Sequence, residues 1–72
     1  MEKDIRQIFG ERLKDLRQEK GLSYEKLSSE IGIAQSSLFR WETCQTDALS
    51  YQLVKIAEYF GVSTDYLLGL EN

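Results

Sequence analysis

The stretch SYEKLSSEIGIAQSSLFRW, residues 23–41, decides the fold of this chain. Its large apolar residues recur at helical spacing on both sides of a glycine; they are Leu27, Ile31, Leu38 and Trp41. Gly32 lies where the first helix must end and the chain must turn, a position that commonly needs positive φ and favours a residue without a Cβ atom. The stretch therefore predicts two short helices joined by a tight turn, each with one buried face.

Three further helices are predicted around this pair, which makes the fold a compact, all-α, five-helix domain spanning residues 1–72. The first helix precedes Gly21 and should bury Ile5, Ile8, Phe9, Leu13 and Leu16. The fourth helix ends at Gly61 and should bury Leu49, Leu53, Ile56, Ala57 and Phe60. Ser63 and Gly69 are suited to cap the two ends of a short fifth helix.

The second helix of the central pair, residues 35–42, keeps four side chains away from its apolar face: Gln35, Ser36, Phe39 and Arg40. A glutamine amide can bond both N7 and N6 of adenine, and an arginine can bond guanine or a phosphate. The alternatives are ordinary surface roles, with Gln35 a solvated glutamine at a helix start and Arg40 part of a surface ion pair. This face predicts base contacts in a DNA major groove.

Four segments together resemble one known family. They are GERLKDLRQEKGLS (10–23), EIG (30–32), FRWE (39–42) and GVSTDYLLGL (61–70). Their order and spacing resemble the Cro and phage-repressor type of helix-turn-helix protein, also called the xenobiotic-response-element type, from Phe9 to Leu70. The resemblance places the helix-turn-helix motif at 23–42. It implies a repressor-like fold and a sequence-specific, double-stranded DNA-binding transcriptional regulator, with helix 35–42 as the recognition helix.

The same resemblance implies partners and supporting residues. A homodimer is expected on a palindromic operator. Because the sequence shows no effector domain, control is expected through dimerisation, synthesis rate or a protein antagonist. Candidates for contacts to the DNA backbone are Tyr24, Ser37, Gln45, Arg12 and Lys20. Arg17 and Glu42 are expected to form a partly buried ion pair between the first and third helices. Tyr59, Tyr66 and Leu70 are candidates for the dimer interface, although tyrosines on helix surfaces can simply be half-buried.

The chain departs from the family pattern at several positions. Tyr24 replaces a glutamine that commonly grips a phosphate, and Ala34 replaces a serine or threonine that caps the recognition helix. Cys44 takes a usual glycine position in a loop, residues 43–48, that lacks the customary basic residues. Fewer phosphate contacts predict a shallow dependence of DNA affinity on salt.

Phe39 is the unusual member of the recognition face, because relatives commonly carry a small or polar residue there. It can contact thymine methyl groups. It can equally mark a protein-binding surface, since an exposed phenylalanine on a small domain commonly has a partner. A third interpretation places it under a neighbouring loop. The protein-binding interpretation supports an alternative function, namely a protein-interaction or anti-repressor module on the same fold with weak or no DNA binding.

Composition narrows the classes of function further. The chain has 72 residues, no histidine and a single cysteine, so zinc sites, disulfides and histidine-dependent catalysis lack their residues. We therefore expect no enzyme, metal or cofactor. The chain contains no membrane-length apolar run, and a lone cysteine fits a reducing compartment, which favours the cytoplasm. The net charge is −3, but residues 1–45 balance to zero and the excess acid lies in residues 46–72.

Overall fold

The computed structural model describes residues 4–71 and contains five α-helices within them. In chain order these are α1 (Ile5–Glu19), α2 (Tyr24–Ile31), α3 (Gln35–Glu42), α4 (Ser50–Phe60) and α5 (Thr64–Leu68). The all-α, five-helix prediction is confirmed. The predicted domain also included residues 1–3 and 72, which lie outside the described residues.

Short polar residues cap the N-termini of three helices, α1, α2 and α5. The side chains of Asp4, Ser23 and Ser63 each accept a hydrogen bond from the backbone N–H three residues later, at 2.9–3.0 Å. Such a cap satisfies a donor that has no partner inside the helix. The turn of the central pair is formed as predicted, because Gly32 has a φ of 70° and its N–H donates to the carbonyl of Ser28.

The core is assembled from all five helices and the turn at Ile33. Its buried apolar side chains are Phe9, Leu13, Leu27, Ile31, Ile33, Leu38, Trp41, Ile56, Ala57 and Leu67. The rings of Phe9 and Trp41 lie 5.7 Å apart and join α1 to α3. Full burial of one such large side chain contributes about 1.5–3 kcal/mol. The core therefore holds α3 by its inner face and leaves its outer face available.

Two residues predicted to be buried are exposed. Ile5 is 54% exposed because it is the first residue of α1, and the end of a helix packs against fewer neighbours than its middle. Leu49 is 61% exposed because it precedes α4 in an extended conformation. Its side chain therefore does not follow the helical periodicity of the residues after it.

Gly10 allows α1 to approach the end of α3 closely. A Cβ atom at this position would overlap the backbone carbonyl oxygen of Trp41 and lie 3.2 Å from the Sγ atom of Cys44. Gly10 sits in the middle of α1, where glycine otherwise weakens a helix by about 1 kcal/mol relative to alanine. Close packing of α1 on α3 therefore requires glycine here despite its low helix propensity.

Cys44, two residues after the end of α3, has a left-handed backbone conformation. Its φ is 63°, the one positive value among the described residues other than glycine. The N–H of Cys44 donates to the carbonyl of Trp41, and the N–H of Gln45 donates to that of Arg40. This pair of bonds is a Schellman motif, in which glycine usually holds the left-handed position.

Candidate nucleic-acid interface

The outer face of α3 carries the four side chains predicted to contact bases. Gln35, Ser36, Phe39 and Arg40 are all exposed, whereas Leu38, Trp41 and Glu42 on the same helix are buried. The structure therefore brings the four candidates together on one exposed side of one helix. Ser37, predicted to contact the DNA backbone, is half-buried at the edge of this face.

The charge of this face favours an anionic ligand. Arg40 is the one basic residue of α3 and is exposed. Glu42 is its one acidic residue, and only 2% of its side chain is exposed. Because the carboxylate is buried and paired, α3 presents a positive group and hydrogen-bonding groups to the outside. The exposed side of α3 carries no carboxylate.

The ion pair implied by the resemblance is present and fixes α3 to α1. Arg17 donates from Nε to Oε2 of Glu42 at 2.7 Å and from Nη2 to Oε1 at 3.1 Å. Its third nitrogen, Nη1, donates to the carbonyl of Leu22 at 2.7 Å. The hydrogen bond with Glu42 raises the pKa of the Arg17 guanidinium above its ordinary value, so the group stays charged. The pair anchors the end of the recognition helix.

Tyr24 joins this ion pair and connects α2 to α3. Its hydroxyl donates to Oε1 of Glu42 at 2.9 Å, and the guanidinium carbon of Arg17 lies 4.2 Å from its ring centroid. Burial, followed by the hydrogen bond to Glu42, raises the pKa of Tyr24 above its ordinary value. The predicted phosphate contact is therefore revised, because a phosphate only accepts hydrogen bonds and the single hydroxyl proton is held by Glu42.

Phe39 packs on Tyr24 and does not lie under a loop. The two ring centroids are 6.0 Å apart with the ring planes at 75°, and Phe39 is 49% exposed. Edge-to-face pairs of this kind are favourable beyond the area they bury. The third interpretation of Phe39 is therefore wrong, and half of this side chain is available to a ligand.

Arg12 is engaged away from α3. Its guanidinium donates to the backbone carbonyl of Tyr66 and lies 4.4 Å from the centroid of that ring, which joins α1 to α5. This bond and ring contact hold the Arg12 guanidinium against α5, although a guanidinium has further N–H donors. The interface proposed below therefore leaves Arg12 with α5.

Two other backbone candidates keep their availability. Gln45 is exposed in the loop after α3, and its Nε2 donates to the hydroxyl of Thr43 at 2.7 Å, which leaves a second N–H. Lys20 is exposed at the end of α1, with its ammonium 4.7 Å from the centroid of the Tyr59 ring. Gln45 is the closer of the two in sequence to the recognition helix.

The loop after α3 carries less free negative charge than its sequence suggests. Asp47 accepts two hydrogen bonds from Arg6, at 3.1 and 3.2 Å. Both side chains are largely exposed, so solvent screens the pair. Sequence reasoning missed this pairing, because the partners are 41 positions apart. The arginine offsets the aspartate that the loop would otherwise present to DNA.

Sequence reasoning also missed the role of Lys55. The Nζ atom of Lys55 on α4 donates to the carbonyl of Ile31, the last residue of α2, at 3.3 Å. A cation at the C-terminus of a helix interacts favourably with the helix dipole and with carbonyls that have no partner in the helix. Lys55 thus supports α2, which in turn holds α3.

The candidate dimer residues fall into two groups. Tyr59 donates to Glu30 at 3.1 Å, and Tyr66 lies beneath Arg12, so both have partners within the chain. Leu70, by contrast, is 64% exposed. On α4, Tyr51 and Val54 are exposed one turn apart, a further apolar surface in the same part of the chain.

Two other kinds of site find no support in the described residues. No helix within residues 4–71 is both long and apolar enough to cross a membrane. No group of three or more histidine, cysteine, aspartate or glutamate side chains there is arranged to hold a metal ion.

An apolar groove near Ile5, Phe9 and Leu53 involves no residue of α3.

Comparison with known proteins agrees with this geometry. A family model described as a helix-turn-helix domain matches residues 10–72. The chain belongs to this helix-turn-helix family. Among curated proteins of Bacillus subtilis strain 168, it is 36% identical over 61 residues to the SPbeta prophage-derived uncharacterized HTH-type transcriptional regulator YonR. It is 35% identical over 61 residues to the HTH-type transcriptional regulator ImmR.

Each alignment covers 85% of this helix-turn-helix chain, which spans about half the length of the curated relatives it matches, 56% of YonR and 48% of ImmR. Among solved structures, the restriction-modification controller protein C.AhdI from Aeromonas hydrophila superposes with a TM-score of 0.77 and 31% identity. That superposition covers 86% of this chain and 94% of C.AhdI. Both curated relatives are named as HTH-type transcriptional regulators.

Proposed function

We propose that this chain is a sequence-specific, double-stranded DNA-binding transcriptional regulator of repressor-like type, with α3 in the major groove. One observation carries the proposal. Gln35, Ser36, Phe39 and Arg40 share the exposed side of a helix whose other side is fixed in the core. Groups that read base edges must be held rigidly, and the recognition helix of a helix-turn-helix is the element that enters the groove.

Each residue has a role that follows from its chemistry. Gln35, at the start of α3, pairs with adenine, and Arg40 pairs with guanine or a phosphate. Ser36 contacts a base or a phosphate, while Phe39 is the apolar member of the face. Ser37, Gln45 and Lys20 are proposed contacts to the DNA backbone.

The proposal includes a homodimer on a palindromic operator in the cytoplasm, controlled in part by a protein antagonist. Two-fold symmetry in the protein would match two half-sites about one helical turn of DNA apart. Exposed Leu70 supports an interface at the end of the chain. Tyr59 and Tyr66 would contribute less, because their polar and ring surfaces already have partners within the chain.

Selection of binding sites from a random duplex pool at low salt tests the function. The wild type should enrich a palindrome, and a Gln35→Ala, Arg40→Ala variant should lose that sequence or prefer another. The matched control is Lys14→Ala, Gln18→Ala, which removes one basic residue and one glutamine from exposed positions on α1. The control should enrich the same palindrome as the wild type, and far-ultraviolet circular dichroism should show that all three proteins fold.

The proposal fails if the wild type enriches no sequence, or if both double variants retain the same palindrome. The first result would favour the second candidate function, a protein-interaction or anti-repressor module on the same fold. The half-exposed Phe39 supports that alternative, because apolar exposure on a binding face suits a protein partner.

A further inference from the structure

Tyr24 is held on several sides at once. Its hydroxyl donates to Glu42, the Arg17 guanidinium covers its ring, and the Phe39 ring meets it at 75°. Arg17 and Glu42 are themselves almost buried, with 12% and 2% of their side chains exposed. A ring held by a buried ion pair and a hydrogen bond is a rigid surface. Phe39, which packs on this surface, is therefore restrained on the side that faces α2.

The exposed part of Phe39 can recognise only one feature of a base edge. A phenyl ring neither donates nor accepts a conventional hydrogen bond, whereas most major-groove features are donors or acceptors. The exception is the 5-methyl group of thymine, which an apolar side chain can contact. Phe39 also lies four residues after Gln35, and thus one helical turn further along the same face. Its surface adjoins the proposed adenine-reading position.

We propose that Tyr24 is a positioning residue that holds Phe39 so that Phe39 reads a thymine methyl group. The inference rests on the proposed DNA-binding function and adds one base preference to it. A phenylalanine free to change rotamer would lose that freedom when DNA binds, whereas one packed in advance on Tyr24 loses less. Tyr24 touches no base in this proposal; it acts through Phe39.

Replacing thymine by uracil in the selected operator removes the methyl group and nothing else. With uracil at the contacted position of a single half-site, the wild type should bind about fourfold more weakly, the loss expected for one buried carbon group. Substitution in both half-sites of a palindrome should give a loss of about fifteenfold, because the two contacts are independent. Phe39→Ala should bind the thymine and uracil duplexes equally at that position.

The Tyr24 variants separate positioning from stability. Tyr24→Phe keeps the ring and should retain most of the preference for thymine over uracil. Tyr24→Leu removes the ring and should bring that preference close to one. A purely structural role would weaken binding to both duplexes alike and leave their ratio unchanged. Tyr51→Leu, which alters an exposed tyrosine on α4, is the matched control and should keep the wild-type ratio of the two affinities.

Three results would overturn the inference while leaving the proposed function intact. In the first, the operator is bound but no thymine position shows a uracil effect. In the second, Phe39→Ala keeps the effect at the same position. In the third, Tyr24→Leu folds and retains the wild-type ratio. Failure to enrich any operator is a different outcome, because it removes the proposed function together with the inference.

Discussion

Breaking the Arg17–Glu42 pair should destabilise this domain, and the two single substitutions should differ in cost. Arg17→Met leaves the Glu42 carboxylate, only 2% exposed, with the Tyr24 hydroxyl as its remaining donor. Glu42→Met leaves Arg17, which keeps its bond to the Leu22 carbonyl and is 12% exposed. An arginine stem can also move its charged end toward water. The stranded carboxylate should therefore cost more than the stranded guanidinium.

The magnitudes follow from burial. Removing one partner of a buried ion pair typically costs 3–5 kcal/mol. We expect about 4–5 kcal/mol for Arg17→Met and about 3 kcal/mol for Glu42→Met. A domain of this size has a free energy of unfolding of about 4–11 kcal/mol, so either change removes a large share. The double variant should cost no more than Arg17→Met alone, because no uncompensated charge is left buried.

Urea denaturation followed by far-ultraviolet circular dichroism measures these free energies of unfolding. Glu42→Gln is a milder change that keeps the side-chain volume, for use if a methionine variant does not fold. The exposed pair of Arg6 and Asp47 is the matched control, because it has the same two-bond geometry without the burial. Its double-mutant cycle should show coupling within experimental error. Additive costs for Arg17→Met and Glu42→Met would refute the reasoning.

Four further predictions concern individual features. Gly10→Ala should lower the free energy of unfolding by about 1–2 kcal/mol, since overlap with the Trp41 carbonyl outweighs the gain in helix propensity; a stabilised variant in urea denaturation would contradict the close approach. Cys44→Gly should be about 0.5–1 kcal/mol more stable than Cys44→Ala, because both lose the sulfur but only glycine accepts a φ of 63° without strain; equal denaturation midpoints would argue against backbone strain. Ala34→Ser should add about 1 kcal/mol, because α3 has no side-chain cap; an unchanged thermal midpoint would show that the new hydroxyl does not bond. Tyr24 has a folded-state pKa above its ordinary value of 10.0. Its contribution to stability is therefore complete below about pH 10 and is lost as the pH rises through the folded-state value. Urea denaturation as a function of pH should show that the free energy of unfolding falls less steeply at alkaline pH in Tyr24→Phe than in the wild type.

Most of the fold could be predicted because its signals are local. Apolar spacing and the glycines at 32, 61 and 69 marked where helices run and end, and α3 has the predicted bounds, Gln35–Glu42. The predictions for Ile5 and Leu49 were wrong because both stand at helix starts. Periodicity describes a helix interior, whereas the burial of a first turn depends on what packs beside it.

The outer face of α3 was predictable for the same reason. A helix that buries Leu38 and Trp41 must present Gln35, Phe39 and Arg40 on its other side. Availability to DNA was not predictable for residues with distant partners. Arg12 is held by a residue 54 positions away, which no local pattern indicates.

The sequence by itself determined the helices, the tight turn at Gly32 and the family, because these depend on spacing along the chain. Only the tertiary structure decided which polar groups remain free. It assigned the Tyr24 hydroxyl to Glu42, placed half of Phe39 in solvent and required a glycine at position 10. The physical reason is that a single donor hydrogen, like a volume of space, serves one partner, and packing between helices distant in sequence decides which partner that is.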